Sequence, residues 1–295
     1  MNDLSPGPDI QAETGIQEYP LARRRFMMSS LITGFTLATQ TVAAQAIHTD
    51  STGLIADEVQ IPVKDGHLPG YYARPAQGTT FPIMLVNEEV FGVTEYIQDV
   101  CRRFAKLGYL AVAPEIFARL ADLSKITNLA EIRGIVAKKP DDELMSDLDS
   151  TIAWAAQNKG DDSRIGEIGF CFGGRTVWLY AAHNPQLKAA VAFYGILGGD
   201  RTSIKPHTAL DIVGDIKCPL LGLYGGQDQF IPVAQVQEAE AKAKAAQRTV
   251  QIVIYPDAPH GFHADYRPTY HEADAKDAWT HAIAWFQRYG LAPKT

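Results

Sequence analysis

The chain has 295 residues, 46% of them apolar, and a net charge of −7. That is enough apolar material for one large core or two modest ones, and the negative balance gives no footing for a nucleic acid or an anionic membrane surface. Three cysteines, Cys101, Cys171 and Cys218, make an odd and sparse set that excludes a disulfide framework.

Residues 1–22 are polar and rich in Pro and Gly, a composition that does not bury a core. Arg23-Arg24-Arg25-Phe26-Met27-Met28 follows, then a weakly apolar run from Ser29 to Ala44 and the triplet Ala44-Gln45-Ala46. A basic start, an apolar middle and a small-x-small end describe an export signal. The arginine pair with Phe26 and Met27 behind it resembles the twin-arginine type. The run is too short and too rich in Thr and Gly for a membrane span. The expected organisation is a leader over 1–46, cut after Ala46, and one domain over 47–295. The export machinery is then a transient partner, and no stable membrane anchor remains after the cut. The destination is the periplasm or the exterior, or the cytoplasm if the leader does not function.

Downstream, strand-like and helix-like segments alternate. Glu58–Val63 and Gly70–Arg74 read as an opening β-pair turned at Asp65-Gly66. Pro82–Val86 is a continuous apolar run, as for a strand covered on both faces. Tyr96–Leu107 carries Ile97, Val100, Phe104 and Leu107 at helical spacing, with Gly108 to stop it. Tyr109–Ala113 is the next strand, and Asp142–Asn158 is a helix with Leu144, Leu148, Ile152 and Ala155 on one face. Ile165–Phe170, Ala189–Phe193, Leu220–Tyr224 and Val250–Tyr255 are further strands. Val233–Gln247 and Asp274–Tyr289 are helices, the last with Trp279, Ile283 and Phe286 inward. This alternation predicts one α/β domain with a mostly parallel sheet flanked by helices in three layers.

Ligands of such sheets bind at the carboxyl ends of the strands. The reactive residues just past those ends are Glu88 and Glu89, Cys171, Asp228 and His260. Cys171 stands in Gly169-Phe170-Cys171-Phe172-Gly173-Gly174, where a nucleophile elbow of the Gly-x-Ser-x-Gly kind places its serine. The glycines permit the strained backbone, and the helix start beyond the turn favours a thiolate or an oxyanion. Nucleophile, acid and histidine follow in α/β-hydrolase order. A thiol with an ordinary pKa near ~8.5 is mostly protonated at neutral pH. His260 is therefore the expected base, oriented by Asp228, for thiolate attack on an ester or lactone carbonyl. The backbone N–H groups of Phe172 and of a residue in 89–91 are the expected oxyanion donors.

These stretches resemble the dienelactone hydrolases (carboxymethylenebutenolidase-like) from about Val59 to Tyr289. The resemblance rests on Glu88-Glu89-Val90-Phe91-Gly92-Val93, Ala113-Pro114-Glu115-Ile116-Phe117-Ala118-Arg119, the Cys171 elbow, Gly226-Gln227-Asp228 and His260-Gly261-Phe262. It implies an α/β-hydrolase fold, no cofactor, a small-molecule ester or lactone substrate and a Cys171–Asp228–His260 triad. It further implies that Glu89 pairs with the resting thiol and that Val90 shares the oxyanion hole with Phe172. Arg119 matches a family arginine, and it and Tyr194, past the Ala189–Phe193 strand, are candidate substrate-binding residues. The family's dienelactone enzymes grip a substrate carboxylate with two arginines. Here Ala264 stands at the offset of the one beyond the histidine, and Arg133 is the candidate for the other.

Three other readings compete. His260 and His263 with Asp265 or His271 carry ligand-type groups, but without the fixed spacing a metal site uses. Cys171 lacks a CxxC partner for thiol redox work. A non-catalytic binding module on the same fold is the third.

Overall fold

In a computed structural model, residues 46–292 are described. The leader expected over 1–46 thus lies outside the described residues, apart from Ala46. The chain forms one eight-stranded sheet in the order β1-β2-β4-β3-β5-β6-β7-β8. β1 (Leu54–Val63) and β2 (Gly66–Pro75) make the antiparallel hairpin expected at Asp65-Gly66, and β2 runs antiparallel to β4. From β4 (Leu110–Pro114) through β3 (Phe81–Asn87), β5 (Gly160–Phe170), β6 (Leu187–Phe193), β7 (Leu220–Gly225) and β8 (Val250–Tyr255) all pairings are parallel.

Every residue of β3, β4 and β7 is buried, so helices cover both faces of the sheet. They are α1 (Glu95–Lys106), α2 (Leu129–Val136), α3 (Asp141–Gln157), α4 (Phe172–His183), the single turn α5 (Ala209–Ile212), α6 (Val233–Ala245) and α7 (Glu272–Phe286). α3 buries Leu144, Leu148, Ile152 and Ala155 as its spacing requires. α1 buries Ile97, Val100 and Phe104, but Leu107 is exposed. It stands beyond the last full turn, where Gly108 at φ +95° diverts the chain before a fourth contact forms. In α7 Phe286 is buried, whereas Trp279 and Ile283 pack half-buried against the core.

The start of β5, the helix α2 and the single turn α5 escaped the sequence pattern. β5 starts at Gly160, five residues before the apolar run, because Gly160 and Asp161 pair with Phe81 and Pro82 of β3 ahead of an irregularity over 162–164. α2 is short, has Gly134 inside it and buries only Ile132 and Val136, too little for a visible period. No helix among the described residues is long and apolar enough to cross a membrane.

Candidate active site

The strand–turn–helix at Cys171 follows from sterics. Cys171 adopts φ +56°, ψ −110°, a conformation unfavourable for a residue with a side chain. The turn that imposes it is closed tightly. A Cβ on Gly169 would lie 2.2 Å from the Gly173 carbonyl oxygen, and one on Gly173 would lie 2.3 Å from that of Asn87. Only glycine fits at either position. β5 and α4 thereby lock together, and the thiol rises at the carboxyl end of the sheet as the N-cap residue of α4. Phe172 is the first residue of that helix, and its N–H has no acceptor within the helix.

β7 and β8 supply the other two groups. Asp228 Oδ1 accepts hydrogen bonds from the N–H groups of Phe230 (2.8 Å) and Ile231 (3.1 Å). Its Oδ2 lies 2.8 Å from His260 Nδ1. With both carboxylate oxygens accepting, Nδ1 carries the proton and Nε2 is left for the Cys171 thiol. Burial alone would push the imidazole pKa down. The hydrogen bonds to Asp228 and Cys171 and their negative charges outweigh it and raise His260 to about 10. The imidazolium form of His260 is the state this arrangement favours. Tyr194 and Phe230 pack edge-on to the His260 ring, with centroids at 5.1 and 5.3 Å.

The cavity above Cys171 has a volume of about 440 Å³. Val90, Phe91, Phe172, Ile196 and Phe230 give it apolar walls, and Arg133, Arg175, Lys205 and Arg267 give it positive charge. Arg175 is held by Asp141 at 2.8 Å. Lys205 donates to the Val136 carbonyl at 2.9 Å and stands over the Phe172 ring. Burial, with Arg175 nearby, lowers its pKa to about 8. Arg133 stacks over Phe230, its centre 5.1 Å from the ring.

The remaining expected residues fall as follows. Glu89 is buried at the end of β3, but its carboxylate is committed elsewhere than to the thiol. Tyr266 Oη donates to Oε2 at 2.7 Å, and Arg267 Nη2 lies 3.0 Å from Oε1. Arg119 is not among the residues lining the cavity. It forms ion pairs with Asp147 (2.8 Å), Asp65 (2.6 Å) and Glu143 (3.3 Å), tying the β1–β2 turn to α3. Tyr194 is fully buried at φ +38° and lies beneath His260 rather than on the cavity wall. Sequence reasoning missed Lys205 and Arg267. Arg267 lies seven positions past His260, three beyond Ala264, in a loop without periodicity, so a fixed offset passes over it. The histidines weighed as metal ligands diverge. His263 is buried with Nδ1 2.6 Å from Tyr96 Oη, and His271 pairs with Asp274 at 2.8 Å.

Residues 68–290 match the profile of the Dienelactone hydrolase family. The chain belongs to the dienelactone hydrolase family. A candidate carboxymethylenebutenolidase of Methylorubrum extorquens is 52% identical over 275 residues, covering 92% of this chain and 94% of that one. Its counterpart in Escherichia coli strain K12 is 44% identical over 266 residues, covering 90% and 98%. The crystal structure of a candidate dienelactone hydrolase from Klebsiella pneumoniae superposes with a TM-score of 0.79 at 46% identity, covering 80% of this chain and 99% of that chain. The fold is accordingly that of the α/β-hydrolases, and membership of the family makes the chain an ester and lactone hydrolase.

Proposed function

We propose that this dienelactone hydrolase family member cleaves a small ester or lactone through a thioester on Cys171. The observation that carries the reading is one imidazole shared by a buried carboxylate and a thiol. His260 Nδ1 lies 2.8 Å from Asp228, and the same ring lines one cavity with the Cys171 thiol. The thiolate attacks the acyl carbon, and the charge on the carbonyl oxygen falls to the N–H groups of Phe172 and Val90. His260 passes its proton to the leaving alkoxide, then takes one from water as that water attacks the thioester. With an ester the alcohol leaves first and the acid second; with a lactone the freed hydroxyl stays on the acyl chain and leaves with the acid, and in both cases the thiolate returns.

The mixed lining of the cavity supports a substrate with an apolar body and an acidic group. Phe91, Ile196 and Phe230 would take the first, and Arg133 and Lys205 the second. Glu89, held by Tyr266 and Arg267, is assigned to setting the wall beside the thiol. Thiol redox chemistry is not favoured. Cys218 lies before β7, at the opposite end of the sheet from Cys171, and Cys101 is buried within α1.

Export belongs to the same proposal. The motif Arg23-Arg24 with Phe26 and Met27, followed by an apolar run and Ala44-Gln45-Ala46, supports passage by a twin-arginine route to the periplasm.

The test is hydrolysis of aryl esters and of lactones with and without a carboxylate, by the native chain and by Cys171→Ala. Loss of all turnover in the variant, with a preference for the acidic substrates that Lys205→Met weakens through KM, is expected. Equal rates in the native and variant chains would reject the nucleophile.

A further inference from the structure

The residue after the expected cut is already docked. The backbone nitrogen of Ile47 lies 3.3 Å from Asp265 Oδ2. The residues behind it are strapped along α1. His48 Nδ1 lies 3.0 Å from Glu95, Thr49 N–H donates to Asp99, and the Thr49 carbonyl accepts from Arg102 at 2.8 Å. Anchoring therefore extends up to Ile47 itself.

Asp265 is buried to within 2% of its surface. Its cationic partner is Arg103, 2.8 Å away, and Arg103 is shared with a second buried carboxylate, Asp99, through Nε. Arg103 thus serves two buried acids, of which Asp99 also has Arg102 Nη2 at 3.3 Å. In the intact chain the nitrogen of Ile47 is an amide, a neutral donor. Hydrolysis of the Ala46–Ile47 bond adds water across it. Ala46 leaves with a carboxylate, and the same nitrogen becomes an ammonium with an ordinary pKa near ~7.7–8.0. A neutral hydrogen bond becomes a charge-assisted one to a buried carboxylate, the stronger class.

Asp265 sits in the loop that carries the site. His260 lies five residues before it, and Tyr266 and Arg267, the two partners of Glu89, follow it directly. Pinning Asp265 from one side fixes Tyr266 and Arg267 against Glu89 on the other.

We propose that peptidase cleavage between Ala46 and Ile47 creates an α-ammonium that pairs with Asp265 and holds the 260–267 loop more firmly in the place it already occupies, so that maturation stabilises the active site. The inference rests on the export reading of the leader for the cut, and on the Ile47–Asp265 contact for its consequence.

The experiment uses the full chain with a specific protease recognition sequence placed to end at position 46. The folded protein is assayed before and after the cut for thermal midpoint, for Cys171 alkylation by iodoacetamide and for p-nitrophenyl acetate hydrolysis. A control chain is cut so that three residues remain ahead of Ile47. The cut at 46 is expected to raise the midpoint by several degrees and kcat/KM at least threefold, the control cut to do neither, and Asp265→Asn to abolish the gain. If Asp265→Asn does not fold, acetylation of the newly exposed amine replaces it and is expected to reverse the gain. Equal effects of the two cuts would overturn the pairing. The terminus of the exported protein, read by mass spectrometry, tests the cut separately. A mature chain starting anywhere but Ile47 would overturn the maturation step, whatever the esterase assay shows.

Discussion

The pair behind the thiol makes the sharpest prediction. Glu89 is 1% and Arg267 18% exposed, and they meet at 3.0 Å. In Arg267→Met the side chain keeps most of its packing over Phe91 and Tyr266, but the Glu89 carboxylate keeps only the Tyr266 hydroxyl. Removing one member of a buried pair strands the other at a cost of about 3–5 kcal/mol. For a chain of this size that lowers Tm by roughly 6–20 °C, at ~2–4 °C per kcal/mol. Glu89→Gln strands the guanidinium instead. The double variant Glu89→Gln with Arg267→Met removes both charges and should regain most of the lost stability while esterase activity stays low. Thermal unfolding, with ester kinetics in parallel, reads all of this. Single variants within about 1 kcal/mol of the native chain, as for a surface pair, would refute the reasoning, and so would a double variant that loses the sum of the two.

Three further outcomes follow from the same geometry. His260, raised to about 10 by Asp228 and Cys171, should titrate by NMR near that value, and its contribution to stability is full below its unfolded pKa near ~6.5 and lost as pH rises through about 10. Asp228→Asn should move that midpoint downward; an unchanged midpoint would deny the coupling. Arg119→Met breaks the links to Asp65 and Asp147, and should lower Tm while leaving kcat/KM within threefold, whereas a large KM increase would return Arg119 to the substrate. Gly173→Ala puts a Cβ 2.3 Å from the Asn87 carbonyl oxygen and should cost at least ~3 kcal/mol or prevent folding, measured by denaturant unfolding.

The elements of the fold were legible because their signals are local. An apolar run such as Pro82–Val86 and a stripe such as Leu144, Leu148, Ile152 and Ala155 each declare their covered faces without reference to the rest of the chain. The elbow was legible because its glycines fall at a local motif spacing; Gly169 is demanded by the Gly173 carbonyl four residues on, whereas Gly173 answers to Asn87 from the neighbouring strand. Asp228 and His260 were legible from their places just past apolar strands. What escaped depends on contacts distant in sequence. Arg119 looked like a substrate ligand until Asp65 and Asp147 were seen around it. Glu89 was expected on the thiol, but a tyrosine and an arginine from beyond residue 260 claim its oxygens. Arg267 and the Ile47–Asp265 contact sit in segments without period, where nothing local marks the partner.

The central claim is that a sulfur carries the acyl group, and rapid-quench mass spectrometry of the enzyme during turnover of p-nitrophenyl butyrate tests it most directly. The expected result is a butyryl mass on the peptide containing Cys171, labile to hydroxylamine, formed in the native chain and missing in Cys171→Ala. Full turnover by Cys171→Ala, or an acyl mass carried on another peptide, would contradict it.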